Sequence, residues 1–577
     1  MMKREEIAEI LEEMAELLEL KGENPFRIRA YRNGARALRN LDADLEQLIK
    51  EKKLTEIEGI GDHLAQKISE LFLKGRLSEY EKLKRGTPQA LLELLQVPGL
   101  GPKKVQTLYK KLKIRSLSDL KKAAANGKIA KLAGFGKRSE AKILEALETS
   151  EKQGTRRLWF DAMKEARPIL DALKKLKSVK KAEIAGSLRR RLETVGDLDF
   201  IASSSNPNAV MRWFTTQPFV KKILSKGSAK SSILLTSGIQ ADLRLVPHSQ
   251  FAFALYYFTG SKEHNIRLRM QALKRGWSLS EYGIERIKKG ARLPTAKVDT
   301  EEKILKLFGL SYIPPELRED QGELKAAAEN KIPKLIVEGD IRGALHCHTA
   351  ATDGRNSLKE MVSAAQKLGW EYIGISDHSK SAFQANGQSE ERLLAQIEEI
   401  RKLSKKSDIR IFAGIECDIL PKGNLDFPEK VLKRLDYVIV SIHSSFQQDE
   451  KAMTKRLIRA IEHPCSTIIG HLTGRLLLKR KGYALNIPKI IDACIANKKI
   501  VELNGNPQRL DMDWRYWRAA AEKGLLCCIG PDAHAIDQLE FVNTGVQIAR
   551  KGWLRKEDVI NTLPLKKLEA LLKKMHP

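Results

Sequence analysis

Residues 345–354, LHCHTAATDG, contain two histidines that flank a cysteine and are followed closely by an aspartate. If this segment ends a strand, His346 and His348 point to the same side, because side chains two residues apart in a strand share a face. Two converging imidazoles could hold a metal ion, but a pair of exposed loop histidines would look the same in sequence. A metal site therefore needs further ligands elsewhere in the chain.

Further histidines and acidic residues follow apolar, strand-like segments such as YVIVSIH and TIIGH. They are Asp353, Asp377, His378, Glu416, His443, His471, Asp532 and His534. In a barrel of parallel strands, such positions meet at the carboxyl ends, where these barrels carry their active sites. Imidazole combined with carboxylate favours Zn²⁺, Mn²⁺ or Fe²⁺. We predict a metal-dependent site, with Cys347 and Cys417 as packing residues.

A second set of candidate ligands lies in AGSLRRRLETVGDLDF, residues 185–200. Asp197 and Asp199 are two residues apart on one predicted strand, and Asp242 lies on another, IQADLRLV. Neighbouring carboxylates repel one another unless a cation lies between them, and Mg²⁺ prefers oxygen ligands. A solvated acidic turn would be the alternative interpretation of Asp-x-Asp alone. The third aspartate favours a metal site.

The same segment could also bind phosphate. Gly186 and Ser187 lie near a predicted turn, where they could hold phosphate oxygens, and Arg190 adds positive charge. Together with the three carboxylates, this arrangement predicts a two-metal site that activates a 3′ hydroxyl and stabilises a leaving pyrophosphate.

One pattern occurs three times in the N-terminal part of the chain: an apolar residue, Gly-x-Gly and a helix. The copies begin at residues 57, 97 and 132, and their glycines are Gly59, Gly61, Gly99, Gly101, Gly134 and Gly136. Glycine permits a tight turn, and the free N–H groups of the following helix attract an anion. This is a helix-hairpin-helix pattern, which contacts DNA phosphates without reading bases.

The composition agrees with a nucleic-acid partner. The 577 residues include 103 Lys and Arg against 73 Asp and Glu, a formal net charge of +30, which favours binding to a polyanion. An anionic membrane surface would also attract this charge, but no apolar run approaches the ~18 residues of a spanning helix. We expect no membrane association and a cytoplasmic location. The six cysteines lack zinc-finger spacing, which favours reduced thiols.

The elements that position these residues change along the chain. Residues 1–150 have the three- and four-residue apolar spacing of helices. From about residue 155, short alternating segments predict strands mixed with helices. A polar, proline-containing stretch at 316–339 predicts a linker with some helix. After about residue 340, apolar strands alternate with amphipathic helices, which predicts an α/β barrel-like domain.

GSLRRRLETVGDLDF, ADLRLV and YYFTGSKEHNIRLRMQALKRG together resemble the palm and thumb of family X DNA polymerases, which include DNA polymerase beta. The resemblance implies a nucleotidyltransferase in which the three aspartates hold Mg²⁺, while Ser187 and Arg190 bind the triphosphate of a deoxynucleoside triphosphate. Arg191 departs from the pattern, because the family has a small residue or glycine there.

The thumb segment extends this comparison. By resemblance, Tyr257, Phe258 and Gly260 belong to the segment that contacts the sugar of the incoming nucleotide. Asn265 and Arg269 match minor-groove contacts to the nascent pair and the template. These residues are therefore expected to bind nucleotide and DNA.

The first glycine motif, IEGIGDHLAQKI, resembles the helix-hairpin-helix of the family's small N-terminal domain, which binds the 5′ phosphate at a gap. Lys67 falls where some eukaryotic members carry a Schiff-base lysine that removes a 5′ deoxyribose phosphate. A lysine on a basic helix is more often a phosphate contact, and His63 replaces a basic residue nearby. Phosphate binding is the expectation for Lys67, with lyase activity as the alternative.

The C-terminal pattern resembles the polymerase-and-histidinol-phosphatase (PHP) domain, a distorted β/α barrel that hydrolyses phosphoesters with up to three metal ions. The resemblance implies Mn²⁺ or Zn²⁺ at His346, His348, Asp353, His378, Glu416, His443, His471, Asp532 and His534, with Glu416 bridging two ions. We therefore expect a multidomain α plus α/β protein. The expected domains are 1–85 and 86–152 (helix-hairpin-helix), 153–250 (palm), 251–315 (thumb), 316–339 (linker) and 340–577 (PHP).

The expected function is short-gap filling in DNA repair with a 3′–5′ exonuclease in the PHP domain. The expected substrate is gapped or nicked DNA with a 5′ phosphate, bound by a monomer. One alternative couples the polymerase to a small-molecule phosphoesterase that resembles histidinol phosphatase. Another is a DNA-binding scaffold with inactive sites.

Overall fold

The computed structural model describes residues 4–21, 23–39, 45–57, 59–85, 91, 94, 97, 100–132, 135–136, 140–141, 143–144, 156–287 and 298–576. The chain divides into two compact units, Met1–Gly154 and Thr155–Pro577. Of the helices in these described parts, none combines the length and the apolar composition that crossing a bilayer requires.

The N-terminal unit is helical where it is described, as predicted. Its helices are α1 (Arg4–Lys21), α2 (Pro25–Arg39), α3 (Leu45–Lys50), α4 (Asp62–Lys74), α5 (Ser78–Arg85), α6 (Pro102–Leu112) and α7 (Leu117–Ala125). Apolar residues of α1 at helical spacing, including Ile7, Leu11 and Leu18, are buried together with Ile68 of α4. A second core contains Leu108 of α6 and other apolar residues. These cores fix the turns that precede α4 and α6.

The segment predicted as the palm forms a five-stranded sheet with helices. Its elements are β1 (Arg157–Leu158), α8 (Trp159–Lys175), β2 (Val179–Ile184), α9 (Gly186–Arg189), β3 (Thr194–Val195), β4 (Asp197–Ser204), α10 (Pro207–Thr216), β5 (Val220–Lys226), β6 (Lys230–Leu235) and β7 (Gln240–Leu245). The sheet order is β2-β4-β7-β6-β5, and β4 and β7 are parallel neighbours. This pairing sets the two candidate metal-binding strands side by side.

The segment predicted as the thumb follows, together with the segment predicted as a linker. Their elements are α11 (Phe251–Thr259), α12 (Lys262–Lys274), β8 (Trp277–Ser280), β9 (Gly283–Arg286), α13 (Glu301–Leu307) and α14 (Glu323–Ala328). Leu317, Leu324 and Leu335 pack in one core with Phe253 and Leu268. Residues 316–339 are therefore packed against the thumb, with one short helix, and are not an exposed tether.

The C-terminal part alternates parallel strands and helices. Its elements are β10 (Gly343–Ala344), α15 (Leu358–Lys367), β11 (Tyr372–Ile375), α16 (Glu390–Ser404), β12 (Arg410–Ala413), β13 (Glu416–Asp418), α17 (Glu429–Leu432), β14 (Ile439–Ser441), α18 (Glu450–Ile461), β15 (Ile468–Ile469), α19 (Ile487–Ala496), β16 (Ile500–Asn504), α20 (Trp514–Glu522), β17 (Cys527–Gly530), α21 (Phe541–Lys551) and α22 (Leu565–Met575). Sheets β10-β11-β12 and β13-β14-β15-β16-β17 are parallel throughout.

These strands close into a barrel. Cys347 pairs in parallel with Ala533, which joins the first strand to the last. At the amino ends of the strands, α22 packs into the barrel through Leu568 and Leu572, beside the buried ring of Tyr372. Apolar side chains fill that end of the barrel, so the carboxyl ends of the strands form the open, polar end.

Candidate active sites

All nine residues predicted as ligands from the His-rich pattern lie at the carboxyl end of the barrel. His346 and His348 follow β10 and are fully buried. The other seven line a cavity of about 570 Å³: Asp353, His378, Glu416, His443, His471, Asp532 and His534. Each histidine or acidic residue follows or begins a strand, or lies in the loop after β10, so the closed barrel brings positions distant in sequence into one cluster.

Glu416 is at the centre of the cluster. Its two carboxylate oxygens face ring nitrogens of five histidines. The distances from Glu416 are 2.8 Å to His471 Nε2, 2.9 Å to His378 Nδ1, 3.4 Å to His443 Nε2, 3.5 Å to His346 Nε2 and 3.7 Å to His348 Nε2. A carboxylate surrounded in this way can contact more than one cation.

Two aspartates complete the cluster. Oδ1 of Asp532 lies 3.3 Å from Nε2 of His348, and Oδ2 of Asp353 lies 3.3 Å from Nε2 of His534. Three groups of ligand atoms lie within 4.8 Å of one another. The groups are His348, Asp353, His378 and His534; His346, His348 and Asp532; and His378, Glu416 and His443.

The donor atoms of this cluster fit divalent cations. Nε2 of His346, both ring nitrogens of His348 and Oε2 of Glu416 are buried and have no hydrogen-bond partner among the described residues. Buried polar atoms are normally paired because an unpaired one costs free energy. Burial, reinforced by the nearby imidazoles of His534 and His378, lowers the pKa of His348 to about 3, so its ring is neutral and can donate a lone pair.

Several side chains that orient the cluster were not found by sequence reasoning. Oε1 of Glu502 accepts a hydrogen bond from Nδ1 of His346, and Oδ1 of Asp418 lies 2.5 Å from Nδ1 of His443. Arg509 Nε lies 3.2 Å from Oδ2 of Asp532. The sequence feature that could have identified Glu502 is a carboxylate inside an otherwise apolar strand, IVELN.

Asp377 has a different role from its neighbour His378. Its carboxylate accepts hydrogen bonds from the backbone N–H and the hydroxyl of Thr349, at 2.8 and 2.7 Å. Gln396 Nε2 donates to it at 2.6 Å. Asp377 therefore holds the loop after His348 in place.

The second candidate site is built on the palm sheet. The β4–β7 register sets Asp199 directly opposite Asp242, with Asp197 two residues before Asp199 on the same strand. Burial, followed by the charges of Asp197 and Asp242, raises the pKa of Asp199 to about 7. Burial and Asp242 also raise the pKa of Asp197. Carboxylates this close together repel one another, so a cation that binds between them through their oxygens is favoured.

One nearby cation already contacts this group. Nζ of Lys230, on β6, lies 2.6 Å from Oδ2 of Asp242, and Nε2 of Gln240 donates to Oδ1 at 2.9 Å. These contacts fix the orientation of the Asp242 carboxylate beside Asp199.

The predicted phosphate loop lies against the carboxylates. Gly186 has φ of +62°, and a Cβ there would lie 2.2 Å from Oδ2 of Asp199. A larger residue would therefore clash with the candidate metal ligand and would also be strained. Ser187 follows in the short helix α9. The sequence predictions for Gly186, Ser187 and Asp199 thus meet in one place.

The three arginines after Ser187 contact acidic residues of the thumb and of segment 316–339. Arg189 pairs with Glu301 at 2.6 Å, Arg190 with Glu319 at 2.9 Å and Arg191 with Glu316 at 3.0 Å. Arg191 has φ of +59°, in the left-handed region that glycine adopts at the least cost. These three ion pairs hold the loop in position.

One of the predicted nucleotide-binding residues of the thumb, Gly260, lies next to Arg190 of this loop. Nη1 of Arg190 donates to the carbonyl of Thr259 at 2.6 Å, beside Gly260. Nδ2 of Asn265 donates to the carbonyl of Tyr257 at 2.7 Å, and Phe258 packs under the guanidinium of Arg244 at 4.1 Å. Arg269 is exposed on α12. Arg190 and Gly260 are thus neighbours in space.

The three Gly-x-Gly copies form the same turn where they are described. In each copy a backbone N–H donates to the carbonyl three residues earlier, at 3.0 Å: Ile60 to Ile57, Leu100 to Val97 and Phe135 to Leu132. Gly61 and Gly101 precede α4 and α6 as their N-caps, and no side chain caps either helix. Gly59 and Gly136 lie in the described turns, whereas Gly99 and Gly134 lie outside the described residues.

Lys67 on α4 is paired with other side chains. Its Nζ hydrogen-bonds to the carboxylate of Glu79 and the hydroxyl of Tyr31. Burial alone would lower the pKa of Lys67, but these two partners outweigh it and raise that pKa above its ordinary value. A Schiff-base nucleophile must be an unprotonated amine, so this environment favours a charged contact.

Comparisons with known proteins agree with this organisation. The family described as DNA polymerase beta thumb matches residues 254–319, and the PHP domain matches residues 344–506. A helix-hairpin-helix domain matches residues 2–77, and a SAM-like helix-hairpin-helix tandem matches residues 91–149.

The whole chain also has a full-length relative. This chain is 40% identical over 576 residues to the DNA polymerase/3′-5′ exonuclease PolX of Bacillus subtilis. The aligned residues cover 99% of this chain and 100% of that protein. The chain belongs to the PolX family. Membership in the PolX family confirms the predicted fold class of helix-hairpin-helix region, polymerase thumb and PHP barrel.

Other relatives match only part of the chain. A probable phosphatase of Thermoanaerobacter is 27% identical over 229 residues, 38% of this chain and 89% of that protein. A probable phosphatase of Caldicellulosiruptor bescii is 33% identical over 201 residues, 33% of this chain and 78% of that protein.

Proposed function

We propose that this chain is a DNA-directed DNA polymerase that fills short gaps, and that its PHP barrel is a metal-dependent 3′–5′ exonuclease. The observation that carries the proposal is the presence of two separate ligand clusters in the unit 155–577. One is an all-carboxylate group on β4 and β7, and the other is the His-rich group centred on Glu416. Their different donor atoms suit different ions, Mg²⁺ for the first and Mn²⁺ or Zn²⁺ for the second.

In the polymerase site, the proposed Mg²⁺ ligands are Asp197, Asp199 and Asp242. When bound, Mg²⁺ would lower the pKa of the 3′ hydroxyl and offset charge on the triphosphate. Ser187 and the N–H groups at the start of α9 hold phosphate oxygens. Arg190 already makes a charged contact with Glu319, so a triphosphate that binds Arg190 competes with that carboxylate. Tyr257, Phe258, Gly260, Asn265 and Arg269 position the sugar, the nascent pair and the template.

In the barrel, the nine clustered residues would hold up to three ions. When bound, these ions would supply a nucleophilic hydroxide near neutral pH and neutralise the phosphodiester. Glu416 contributes the carboxylate that ions can share. Glu502 and Asp418 contact Nδ1 of His346 and of His443, so that Nε2 of each ring faces Glu416. Removal of a 3′ nucleotide is the reaction that this arrangement supports in a DNA polymerase.

The helix-hairpin-helix turns would contact DNA phosphates. Uncapped N–H groups after Gly61 and Gly101 suit a backbone phosphate, including the 5′ phosphate of a gap. We assign Lys67 a phosphate contact and no lyase role. The proposed substrate is gapped or nicked DNA with a 5′ phosphate, bound in the cytoplasm by a monomer.

The test uses one DNA substrate with a short gap, a labelled primer and a 5′ phosphate on the downstream strand. With deoxynucleoside triphosphates and Mg²⁺, the primer should lengthen to the end of the gap; with Mn²⁺ alone it should shorten from its 3′ end. A parallel reaction with histidinol phosphate tests the phosphatase alternative. Hydrolysis of histidinol phosphate without primer shortening would favour that alternative.

A further inference from the structure

We propose that Phe383 is the stacking surface for an unpaired nucleobase at the DNA 3′ end that enters the barrel cavity. The inference rests on the proposed exonuclease function and adds a base-binding subsite to it. Phe383 lies in the wall of the cavity that contains His378, Glu416 and Asp532. Its side chain is 88% exposed, in a molecule whose other barrel aromatics are largely packed.

The loop that carries Phe383 follows the candidate ligand His378 directly and is held at its base. Ser379 pairs with Gln388, and the N–H of Gln388 donates to the carbonyl of His378 at 2.9 Å. Ser381 is fixed by two hydrogen bonds to Asp426, at 2.7 and 2.6 Å. A ring on an anchored loop is preorganised, which reduces the entropy that binding costs.

The faces of Phe383 are available to a ligand. Among the described residues no ring or cation stacks on Phe383, whereas Phe446, on the same cavity, stacks on Tyr483 at 6.0 Å and lies under Arg480 at 4.5 Å. Removing the exposed apolar ring of Phe383 from water is favourable, so a ligand that covers the ring gains binding free energy. A nucleobase supplies a flat π-face of the right kind.

The charges around the cavity fit the backbone of the same ligand. Arg480 and Arg509 line it, and Lys479 and Lys481 are exposed next to Arg480 in the sequence KRK. An aromatic platform beside a cationic track is how proteins bind single-stranded DNA without reading its sequence. The ligand class is therefore a frayed or single-stranded 3′ end, with little preference among the four bases.

The test compares two single-stranded oligonucleotides in the full-length protein with Mn²⁺. One is natural, and the other carries base-free tetrahydrofuran units at the two 3′-terminal positions. Base–aromatic stacking is worth about 1–3 kcal/mol, so Phe383→Ala should lower kcat/KM on the natural DNA by about 5- to 140-fold. On the base-free DNA it should change little. Phe383→Trp should retain the natural rate, and Leu368→Ala, at another exposed apolar residue of the barrel domain, is the control.

The outcomes separate the inference from the proposed function. No degradation of either oligonucleotide by the unmodified protein would contradict the exonuclease itself. Degradation by the unmodified protein, with Phe383→Ala equally active on natural DNA, would overturn the base subsite alone. Equal losses on both substrates, accompanied by loss of bound Mn²⁺, would also overturn it, because Phe383 would then act through the structure around His378.

Discussion

Glu502 is fully buried and connects two histidines of the His-rich cluster. Its carboxylate accepts hydrogen bonds from Nδ1 of His346 and, at 2.7 Å, from the backbone N–H of His471. Asn504 Nδ2 donates to the same carboxylate at 3.1 Å. Because Nδ1 of His346 is engaged in this way, its Nε2 is left to face Glu416 and Asp532.

We predict that Glu502→Gln weakens the barrel site while leaving the polymerase site intact. Loss of such a carboxylate partner of a ligating histidine commonly costs about 10- to 100-fold in metal affinity or activity. Bound Mn²⁺ after dialysis and the exonuclease rate should fall together by this amount, with primer extension unchanged. Glu522→Gln, an exposed glutamate on α20, is the matched control. Full Mn²⁺ occupancy in Glu502→Gln would refute this role.

At the residue scale, the sequence indicated those candidate ligands whose spacing along the chain places them on one face of a strand. Asp197 and Asp199 are two apart on a strand, and His346 and His348 flank one residue, so a single local rule aligns each pair. Glu502 was not predicted because no histidine or carboxylate lies two residues from it in the strand IVELN. Its importance arises from contacts across 156 residues of chain, to His346, which only the closed barrel creates.

At the element scale, the turn before α4 allows a clean test of phosphate binding. A Cβ at Gly61 would meet no atom within 4 Å, and its φ is −90°, so the fold tolerates alanine there. The added methyl would nonetheless stand where a phosphate approaches the helix N-terminus. Gly61→Ala should bind gaps with a 5′ phosphate several-fold more weakly and unphosphorylated gaps nearly normally.

Fluorescence titration with the two gapped DNAs measures this difference. Gly339→Ala is the matched control, since its Cβ also meets no atom within 4 Å. Equal weakening of both DNAs by Gly61→Ala would show that the turn does not bind the 5′ phosphate.

The contact between the phosphate loop and the thumb gives a pH-dependent prediction. Glu301 is buried, and burial alone would raise its pKa, but Arg318 and Arg189 outweigh this and lower that pKa to about 2, from an ordinary value of 4.5. The unfolded carboxylate takes up a proton first, so the stabilisation is present above about pH 4.5 and is lost as the pH falls towards 2.

Glu301→Gln should therefore be less stable than the unmodified protein at pH 7, by an amount of order 3 kcal/mol. The difference in melting temperature should shrink between pH 4.5 and pH 3, where calorimetry can follow it. Glu302→Gln, at the exposed neighbouring position, should differ little at any pH. A difference that stays constant over this range would mean that the Glu301 charge does not stabilise the fold.

Segment 316–339 contains the short helix that was predicted, together with buried charges that the sequence did not indicate. Its prolines and charges are typical of a linker, but Arg318 and Glu323 are fully buried. Arg318 donates to Glu301 at 2.7 Å, and Nδ1 of His264 lies 2.6 Å from Glu323. Paired charges look the same in the sequence whether they are buried or solvated, so the sequence around Arg318 and Glu323 cannot distinguish this segment from a solvated connector.

At the scale of the whole molecule, segment 316–339 also joins the palm to the barrel. Lys551, at the end of α21, is fully buried and donates to Glu319 at 2.6 Å and to the carbonyl of Arg190 at 3.0 Å. Arg550 donates to Glu316 at 2.6 Å, and Glu316 also pairs with Arg191. The barrel thus helps to hold the loop that carries Ser187 and Arg190, while the two ligand clusters share no residue.

The central claim is that one chain carries two chemically independent active sites. It is tested most directly by measuring primer extension and primer shortening on the same gapped DNA for Asp199→Asn and for His346→Ala with His348→Ala. Asp199→Asn should lose extension and keep shortening, whereas the double histidine variant should lose shortening and keep extension. Each loss should be at least the about 10- to 100-fold that removal of a ligand's supporting partner commonly costs. Circular dichroism is the control that both variants are folded. Loss of both activities in either folded variant, or undiminished shortening in the histidine variant, would contradict the account.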